Sequence, residues 1–279
     1  MDLFLRLQEL MLKYRFRPER AKSEYYCIDE KLVRKAITEL KLSSRDVVLE
    51  LNPGPGLTTR ILLEKSSVIA LEQNKAMVEL LEKEFSSEIS EKKLQVIFYN
   101  PEKQSLKEFK ANKLFTFFTT PDSTLFLKNI YSSNAESAVL LLEDWFLEKA
   151  IAFEGLEEYS PLPVFVELNS KVTILEKHLQ SKKFFPAQSY FTTLIKVDFH
   201  RENISEDFYN FLKEMFRYKN KDLIKAIQFA EPELKKQFKL SKTKQEKLIN
   251  YIQEKKLDGI KLNLISPKKL DLLFQFILK

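Results

Sequence analysis

The chain reads as an α/β protein: a doubly wound, mostly parallel sheet followed by a small all-helical C-terminal domain. Three observations predict this. Between Asp46 and Leu142, apolar runs about five residues long alternate with stretches of helical periodicity. The first run ends in an acid and opens through a glycine turn, "LELNPGPGLTTR". Beyond about Glu202 the strand-like runs stop and the apolar pattern becomes helical.

The elements follow in order. "LFLRLQELMLKY" places apolar residues at helical spacing and predicts a helix over Leu3–Tyr14, which Pro18 separates from a second over Glu30–Leu40. A strand over Val47–Leu51 leads to a helix over Thr58–Lys65, a strand over Ser67–Leu71 and a helix over Lys75–Phe85. Further strands are expected at Leu94–Phe98, Lys113–Phe118 and Ala138–Leu142, then a helix from Trp145 to Ala152. The β-branched and aromatic runs "VFVELNSKVTIL" and "YFTTLIKVDF" predict antiparallel strands at one sheet edge. From Ser205, "SEDFYNFLKEMFRYKNKDLIKAIQF", "KLSKTKQEKLINYIQEKKL" and "SPKKLDLLFQFILK" read as amphipathic helices. Ser205 and Ser266 are the expected N-caps, the latter with Pro267 at the first helical position. The domains are therefore expected at 1–201 and 202–279.

Composition narrows the class. A hydrophobic content of 44% with 31% charged residues is that of a soluble globular protein. No apolar run approaches the ~20 residues that cross a bilayer, and the charged N-terminal helix is no secretory signal. The single cysteine, Cys27, excludes an internal disulfide, fits a reducing cytoplasm and reads as a packing residue. A net charge of +6 favours a polyanionic partner. Basic residues gather at Arg15, Arg17, Arg20 and Lys22, at Arg217, Lys219 and Lys221, and from Lys239 onward to Lys268 and Lys269. Tyr14, Phe16 and Tyr218 lie among them as candidates to stack on unpaired bases. His178 and His200 lack metal-ligand spacing, so no metal site is expected and both read as surface or sheet-edge residues. Trp145 reads as a core residue.

The chemistry is concentrated in one stretch, "DVVLELNPGPGLTTRILLEKSSVIALEQN". Of four glycines in the chain, Gly54 and Gly56 both sit in this turn, which lets backbone approach a ligand at a helix N-terminus. Glu50 closes the first strand and Glu72 the next, where a carboxylate accepts hydrogen bonds from two ribose hydroxyls. GxGxxG and a Walker lysine are both missing, which disfavours dinucleotides and triphosphates. A glycine turn with an acid about 20 residues later is common to S-adenosylmethionine methyltransferases. An ordinary tight turn with a solvent-facing Glu72 is the competing reading.

Over nearly its whole length the chain resembles the KsgA-type small-subunit rRNA adenine dimethyltransferases, most closely their archaeal branch. The family's "KYGIRP" and "GQHFL" are echoed by "LKYRFRPERAKSEYYCID", its "VVLEVGPGxGxLT" by "VVLELNPGPGLTT" and its "AIELD" by "ALEQN". "QxExAxRxxAxPGxxxYxRLSV" is echoed by "EDWFLEKAIAFEGLEEYSPLPV", "AFYPxPKVDSAVVxL" by "FFPAQSYFTTLIKV", and "LFQHRRKTxxKAL" by "MFRYKNKDLIKAI". The resemblance implies a Rossmann-like methyltransferase domain, a helical C-terminal domain, S-adenosylmethionine as cofactor, and the immature 30S subunit with its 16S rRNA as partner. It also implies a family activity, dimethylation of N6 on two adjacent adenosines.

Against that pattern the chain departs at the reacting groups. The family's Asn-Leu-Pro-aromatic motif, which aligns the amine and stacks the base, falls on Thr119, Thr120, Pro121 and Asp122, so only the proline is kept. The first motif glycine is Asn52, and the Gly-Asp after the third strand is Tyr99-Asn100. The N-terminal Gly-Gln is lost in Ser23-Glu24-Tyr25-Tyr26-Cys27. The cofactor positions implied by the resemblance are Glu24, Tyr26, Glu50, Asn52, Gly54, Gly56, Glu72 and Asn100. The sequence is thus expected to encode a monomeric cytoplasmic ribosome biogenesis factor that binds RNA, with cofactor binding weak or absent and methylation lost or strongly reduced. The rival readings are an active dimethylase and a relative of the mitochondrial B-type transcription factors, one branch of which shares "NPGPG".

Overall fold

The computed structural model describes residues 2–117, 123–200 and 205–278. Its first part runs α1 (Leu3–Tyr14), β1 (Tyr26–Cys27), α2 (Glu30–Glu39), β2 (Val47–Leu51), α3 (Leu57–Leu62), β3 (Ser67–Glu72), α4 (Lys75–Glu84), α5 (Ser86–Ser90), β4 (Leu94–Phe98), β5 (Lys113–Thr116), α6 (Ser123–Ser132), β6 (Ser137–Glu143) and α7 (Asp144–Ala150). The rest runs α8 (Pro161–Asn169), β7 (Ser170–Leu179), β8 (Phe184–Phe185), β9 (Thr192–Phe199), α9 (Glu206–Phe216), α10 (Leu223–Phe238), α11 (Lys242–Glu254) and α12 (Pro267–Leu278).

The main sheet has the strand order β4-β3-β2-β5-β6-β9-β7. The first five strands are parallel, and β9 turns antiparallel against β6 with Glu143 opposite Thr192. Both faces of the central strands are covered, so Val48, Leu49, Leu114, Phe115 and Ala138 to Leu141 are all buried. That is why these strands read as continuous apolar runs rather than alternating ones. From β2 the chain winds through β3 to β4 in one direction, then through β5 to β6 in the other. The reversal leaves a crevice at the carboxyl ends of β2 and β5, where open sheets of this type bind ligands.

Local chemistry sets the helix starts. Asp2 caps α1 by accepting from the Phe4 and Leu5 N–H groups at 2.9 and 3.1 Å. Asp29 caps α2, Asn74 caps α4, Ser205 caps α9 and Asp222 caps α10 in the same way. α1 buries Leu3, Leu7 and Leu10, one stripe of its surface. A charged hub fixes it further. Glu84 of α4 accepts from Arg6 at 2.5 Å, Lys13 at 2.5 Å and the Tyr14 hydroxyl at 2.7 Å. Burial of Glu84 favours its neutral form, yet the bonds from Lys13 and Tyr14 outweigh it and hold the carboxyl below its ordinary range.

Contacts divide the chain into two units, Met1–Leu147 with Lys171–Phe199, and Glu148–Ser170 with His200–Lys279. Residues 148–170, expected in the first domain, therefore belong with the C-terminal helices. Tyr159 and Val164 join their core, alongside Phe208, Phe211, Leu212 and Phe274. Among the described residues no helix is long and apolar enough to cross a membrane.

Several expectations need correction. "VFVELN" is not strand but most of α8, because Pro161 starts a helix and the helical form buries Val164, Phe165 and Val166. The strand begins only at Ser170. The long stretch from Ser205 splits into α9 and α10, with a turn at Arg217–Asn220 ended by the Asp222 cap. α6 went unread. Trp145 is 55% exposed, and its neighbour Phe146 is the buried residue. Cys27 is a packing residue as expected, its thiol pushed up to about 12 by burial.

Glu84→Gln removes the charge on which three donors converge. Because Lys13 is largely exposed, the expected loss is moderate, about 1–3 kcal/mol in thermal unfolding. Amide exchange should speed up in α1 and stay unchanged in α9. Equal acceleration in both helices would refute a local role for the hub.

Candidate cofactor site and nucleic-acid faces

A cavity of about 450 Å³ opens at the carboxyl ends of β2 and β3. Lys22, Glu24, Tyr26, Asn52, Gly54 and Glu72 line it, together with Gln73, Asn74, Lys75 and Met77. Five expected cofactor residues, scattered from position 24 to 72, are thus brought together with Lys22. The last four were missed, although Asn74 carries a signal as the helix cap two residues after an acid.

Glu72 is the hub of this wall. It is 5% exposed, so it does not face solvent as the competing reading supposed. One carboxylate oxygen accepts from the Gly54 N–H at 3.0 Å and the other from the Asn74 N–H at 2.8 Å. The turn after β2 and the turn after β3 are thereby fastened to one side chain. Burial raises its pKa above the ordinary value while the backbone N–H groups oppose the rise. Each oxygen keeps further acceptor capacity, which suits a vicinal diol.

The glycine turn depends on left-handed backbone. Gly54 has φ +55, and a Cβ there would lie 2.5 Å from the Tyr26 ring. Gly56 has φ +81, and a Cβ there would meet Phe85 at 2.5 Å. Gly56 does not line the cavity; it seats α3 on α4. Asn52 shares the left-handed form with φ +52, which Asn tolerates better than most residues. The substitution therefore keeps the loop shape. It adds a side chain at the cavity, whose carbonyl accepts from Gln73 at 2.9 Å.

Two further expected cofactor residues have other roles. Glu50 is 1% exposed and accepts from the Thr58 and Thr59 hydroxyls, the latter at 2.6 Å, so it anchors the first turn of α3. Asn100 lies outside the cavity lining. Its side-chain oxygen accepts from the Glu102 N–H at 2.9 Å, and its own N–H donates to Gln104 at 2.9 Å. It shapes the turn after β4, and its acceptor is already engaged. Glu24 accepts from the Glu19 N–H at 2.8 Å and from Asn74 at 3.4 Å, joining the N-terminal segment to the cavity.

Thr119, Thr120, Pro121 and Asp122 lie outside the described residues, as does Phe118. Phe117 is buried against Phe115 at 5.2 Å and borders a recess of about 20 Å³ with Tyr25, Tyr26, Pro53 and Pro55, space for about one water.

The basic clusters differ in how free they are. Arg15, Arg17 and Arg20 are exposed, and among the described residues their side chains have no bonded partner. Lys22 pairs with Glu19 at 2.6 Å at the cavity. In the second unit Arg217 pairs with Glu214 at 2.7 Å, and the Lys219 ammonium donates to the Glu157 carbonyl at 2.7 Å. Lys221 is exposed. Tyr14 and Phe16 pack into the core, Tyr14 bonded to Glu84 and Phe16 edge-on to Tyr26, so neither is a stacking platform. Tyr218 stacks on the half-exposed Phe229 at 5.4 Å. His178 lies in β7 with Nδ1 2.5 Å from Asp144, and among the described residues no cluster could hold a metal ion.

Burial pushes the Glu50 carboxyl from its ordinary 4.5 up to about 7. The native state then binds this proton more tightly than the unfolded chain does. Stability must therefore fall as pH rises from about 5 to about 7 through this group. Glu50→Gln should flatten that limb of the thermal-unfolding profile, and an unchanged pH profile in the variant would contradict the assignment.

The ribosomal RNA adenine dimethylase family model matches residues 18–261. A probable ribosomal RNA small subunit methyltransferase A of Methanopyrus kandleri is 25% identical over 227 residues, covering 79% of this chain and 80% of that one. The Thermococcus gammatolerans counterpart is 26% identical over 227 residues, covering 80% and 78%. Among solved structures, a dimethyladenosine transferase from Plasmodium falciparum superposes with a TM-score of 0.74 at 21% identity, over 88% of this chain and 95% of that one. The 23S rRNA methyltransferase ErmE superposes with a TM-score of 0.61 at 15% identity, over 91% and 100%. Both have the Rossmann-like methyltransferase fold, which the doubly wound sheet of this chain shares. With a family model spanning most of its length, the chain belongs to the ribosomal RNA adenine dimethylase family.

Proposed function

We propose that this chain is a cytoplasmic, monomeric assembly factor that binds the RNA of the immature small ribosomal subunit and has lost, or strongly reduced, adenine methylation. One observation carries the reading: Thr119-Thr120-Pro121-Asp122 stands where the family has Asn-Leu-Pro-aromatic. An exocyclic adenine amine is a poor nucleophile because its lone pair is delocalised into the ring. Methylating it needs the base flipped, stacked on a ring and aligned by carbonyl acceptors. A threonine hydroxyl and an aspartate side chain supply neither the amide nor the ring, and the aspartate charge is costly beside a buried base.

The cofactor frame is better kept than the reacting groups. S-adenosylmethionine, when bound, supplies an electrophilic methyl group. The residues present fit its ribose at Glu72 and a close backbone approach at Gly54. They fit less well elsewhere, since the Asn52 side chain sits at the cavity and the Asn100 acceptor is engaged. Weak binding is the reading this supports. Relatives named small-subunit rRNA methyltransferases, together with the exposed Arg15, Arg17 and Arg20 and a cavity lined by Lys22, support RNA as the partner.

Incubation of the protein with S-adenosylmethionine and immature small subunits should yield no dimethyladenosine above background while the subunits are bound. Dimethyladenosine formation would overturn the reading in favour of an active enzyme. In calorimetry, Asn52→Gly should bind S-adenosylmethionine roughly tenfold more tightly than the parent chain, ~1.4 kcal/mol. Equal affinities would show that the Asn52 side chain does not obstruct the cavity. Arg15→Glu with Arg17→Glu, and separately Lys221→Glu, should lower subunit affinity and make its salt dependence shallower, by about one unit of slope for each phosphate no longer neutralised. Lys219 is unsuited to this test because its ammonium is tied to the Glu157 carbonyl.

A further inference from the structure

Two large rings stand in solvent at the carboxyl end of β6. Trp145 is 55% and Phe191 58% exposed, although each adjoins a buried strand. The Asp144 N–H donates to the Phe191 carbonyl at 3.1 Å, which fixes the start of α7 against the entry to β9. Asp144 then organises its neighbours. One carboxylate oxygen accepts from the Thr193 hydroxyl at 2.7 Å, and the other lies 2.5 Å from His178 Nδ1. The His178 ring meets Phe191 edge-on, with centroids 6.2 Å apart and planes at 80°. Glu143 accepts the indole N–H of Trp145 and so orients that ring. His178 also holds φ +52, a left-handed backbone that costs free energy in an L-residue and gathers where function fixes geometry.

The chemistry of this cluster selects its occupant. Glu143 and Asp144 repel phosphate, so an RNA backbone is the wrong ligand. A nucleobase suits it, with a face to stack on Trp145 or Phe191 and an edge of donors and acceptors for Glu143 and the second nitrogen of His178. The place suits it as well. β6 is two strands from β2, about 10 Å along the carboxyl-end edge that carries the cavity. Resting on the RNA-binding reading above, we infer that Trp145, Phe191, His178 and Glu143 form a site for one unpaired nucleobase of the bound RNA, separate from the cofactor cavity.

Trp145 is the chain's one tryptophan, so its emission reports on this site alone. A short single-stranded RNA is titrated into the intact protein, with fluorescence anisotropy of an end label on the RNA followed in parallel. Trp145 emission should change saturably along the anisotropy isotherm. An oligonucleotide of the same length with abasic sites should leave it unchanged. Phe191→Ala, at an exposed position, should weaken RNA binding roughly tenfold, which is about one stacked base. Trp145→Ala should weaken it similarly, with thermal unfolding of both variants unchanged. RNA binding by anisotropy with unaltered Trp145 emission, or full affinity in both variants, overturns the nucleobase site and leaves the RNA-binding reading standing. No binding by anisotropy overturns both.

Discussion

The grip of one buried carboxylate on two turns organises this protein's site. Glu72 closes β3 and takes the backbone N–H of Gly54 with one oxygen and that of Asn74 with the other. Those turns leave from adjacent parallel strands, whose ladder ends with the Asn52 N–H donating to the Leu71 carbonyl at 2.8 Å. With Glu72 in place, the glycine turn is held over Tyr26, α4 begins where Asn74 caps it, and the cavity between them keeps its shape. An acid in this position is costly to bury, and backbone N–H bonds to both oxygens are what make the burial tolerable.

Three buried acids in the same unit show how environment divides labour among identical groups. Glu72 faces the cavity with backbone partners. Glu50, one strand away, is fully enclosed and, among the described residues, bonded only to threonine hydroxyls, so its carboxyl rises towards neutrality and serves to seat α3. Glu84 meets three donors, two of them cations, and stays charged to hold α1. The family's cofactor frame thus survives as a mechanical structure even where its reacting residues have changed. That pattern supports the proposal of a scaffold kept for RNA with the chemistry reduced.

Much of the site was legible because its residues are set by covalent geometry. Glycines with positive φ and acids at strand ends are local requirements, so Gly54, Gly56, Glu50 and Glu72 could be named from the turn sequence. The roles within that set were harder to read. Glu50 and Glu72 look alike in sequence, and only their partners separate an anchor from a ligand wall. Asn52 reads as a lost glycine but keeps a glycine's backbone, since asparagine tolerates the left-handed form. Asn100 reads as a surviving acceptor, yet its oxygen is engaged by the turn it caps. Tyr14, Phe16 and Trp145 were misplaced for one reason: hydrophobicity does not say which side of an element an aromatic ring will cover.

The sequence by itself determined the alternating architecture, the antiparallel addition at the β6 edge, the helical C-terminal region and the family. These rest on periodicity, caps and turn chemistry, which are properties of a few consecutive residues. Tertiary structure alone decided that residues 148–170 join the C-terminal helices and that "VFVELN" is helical despite its β-branched residues. It also decided that positions 24, 52 and 72 share one cavity, and that Trp145 and Phe191 stand exposed around an Asp144–His178 pair. Each of these depends on which distant surface a segment buries, and burial energy outweighs a local preference of a few tenths of a kcal/mol per residue.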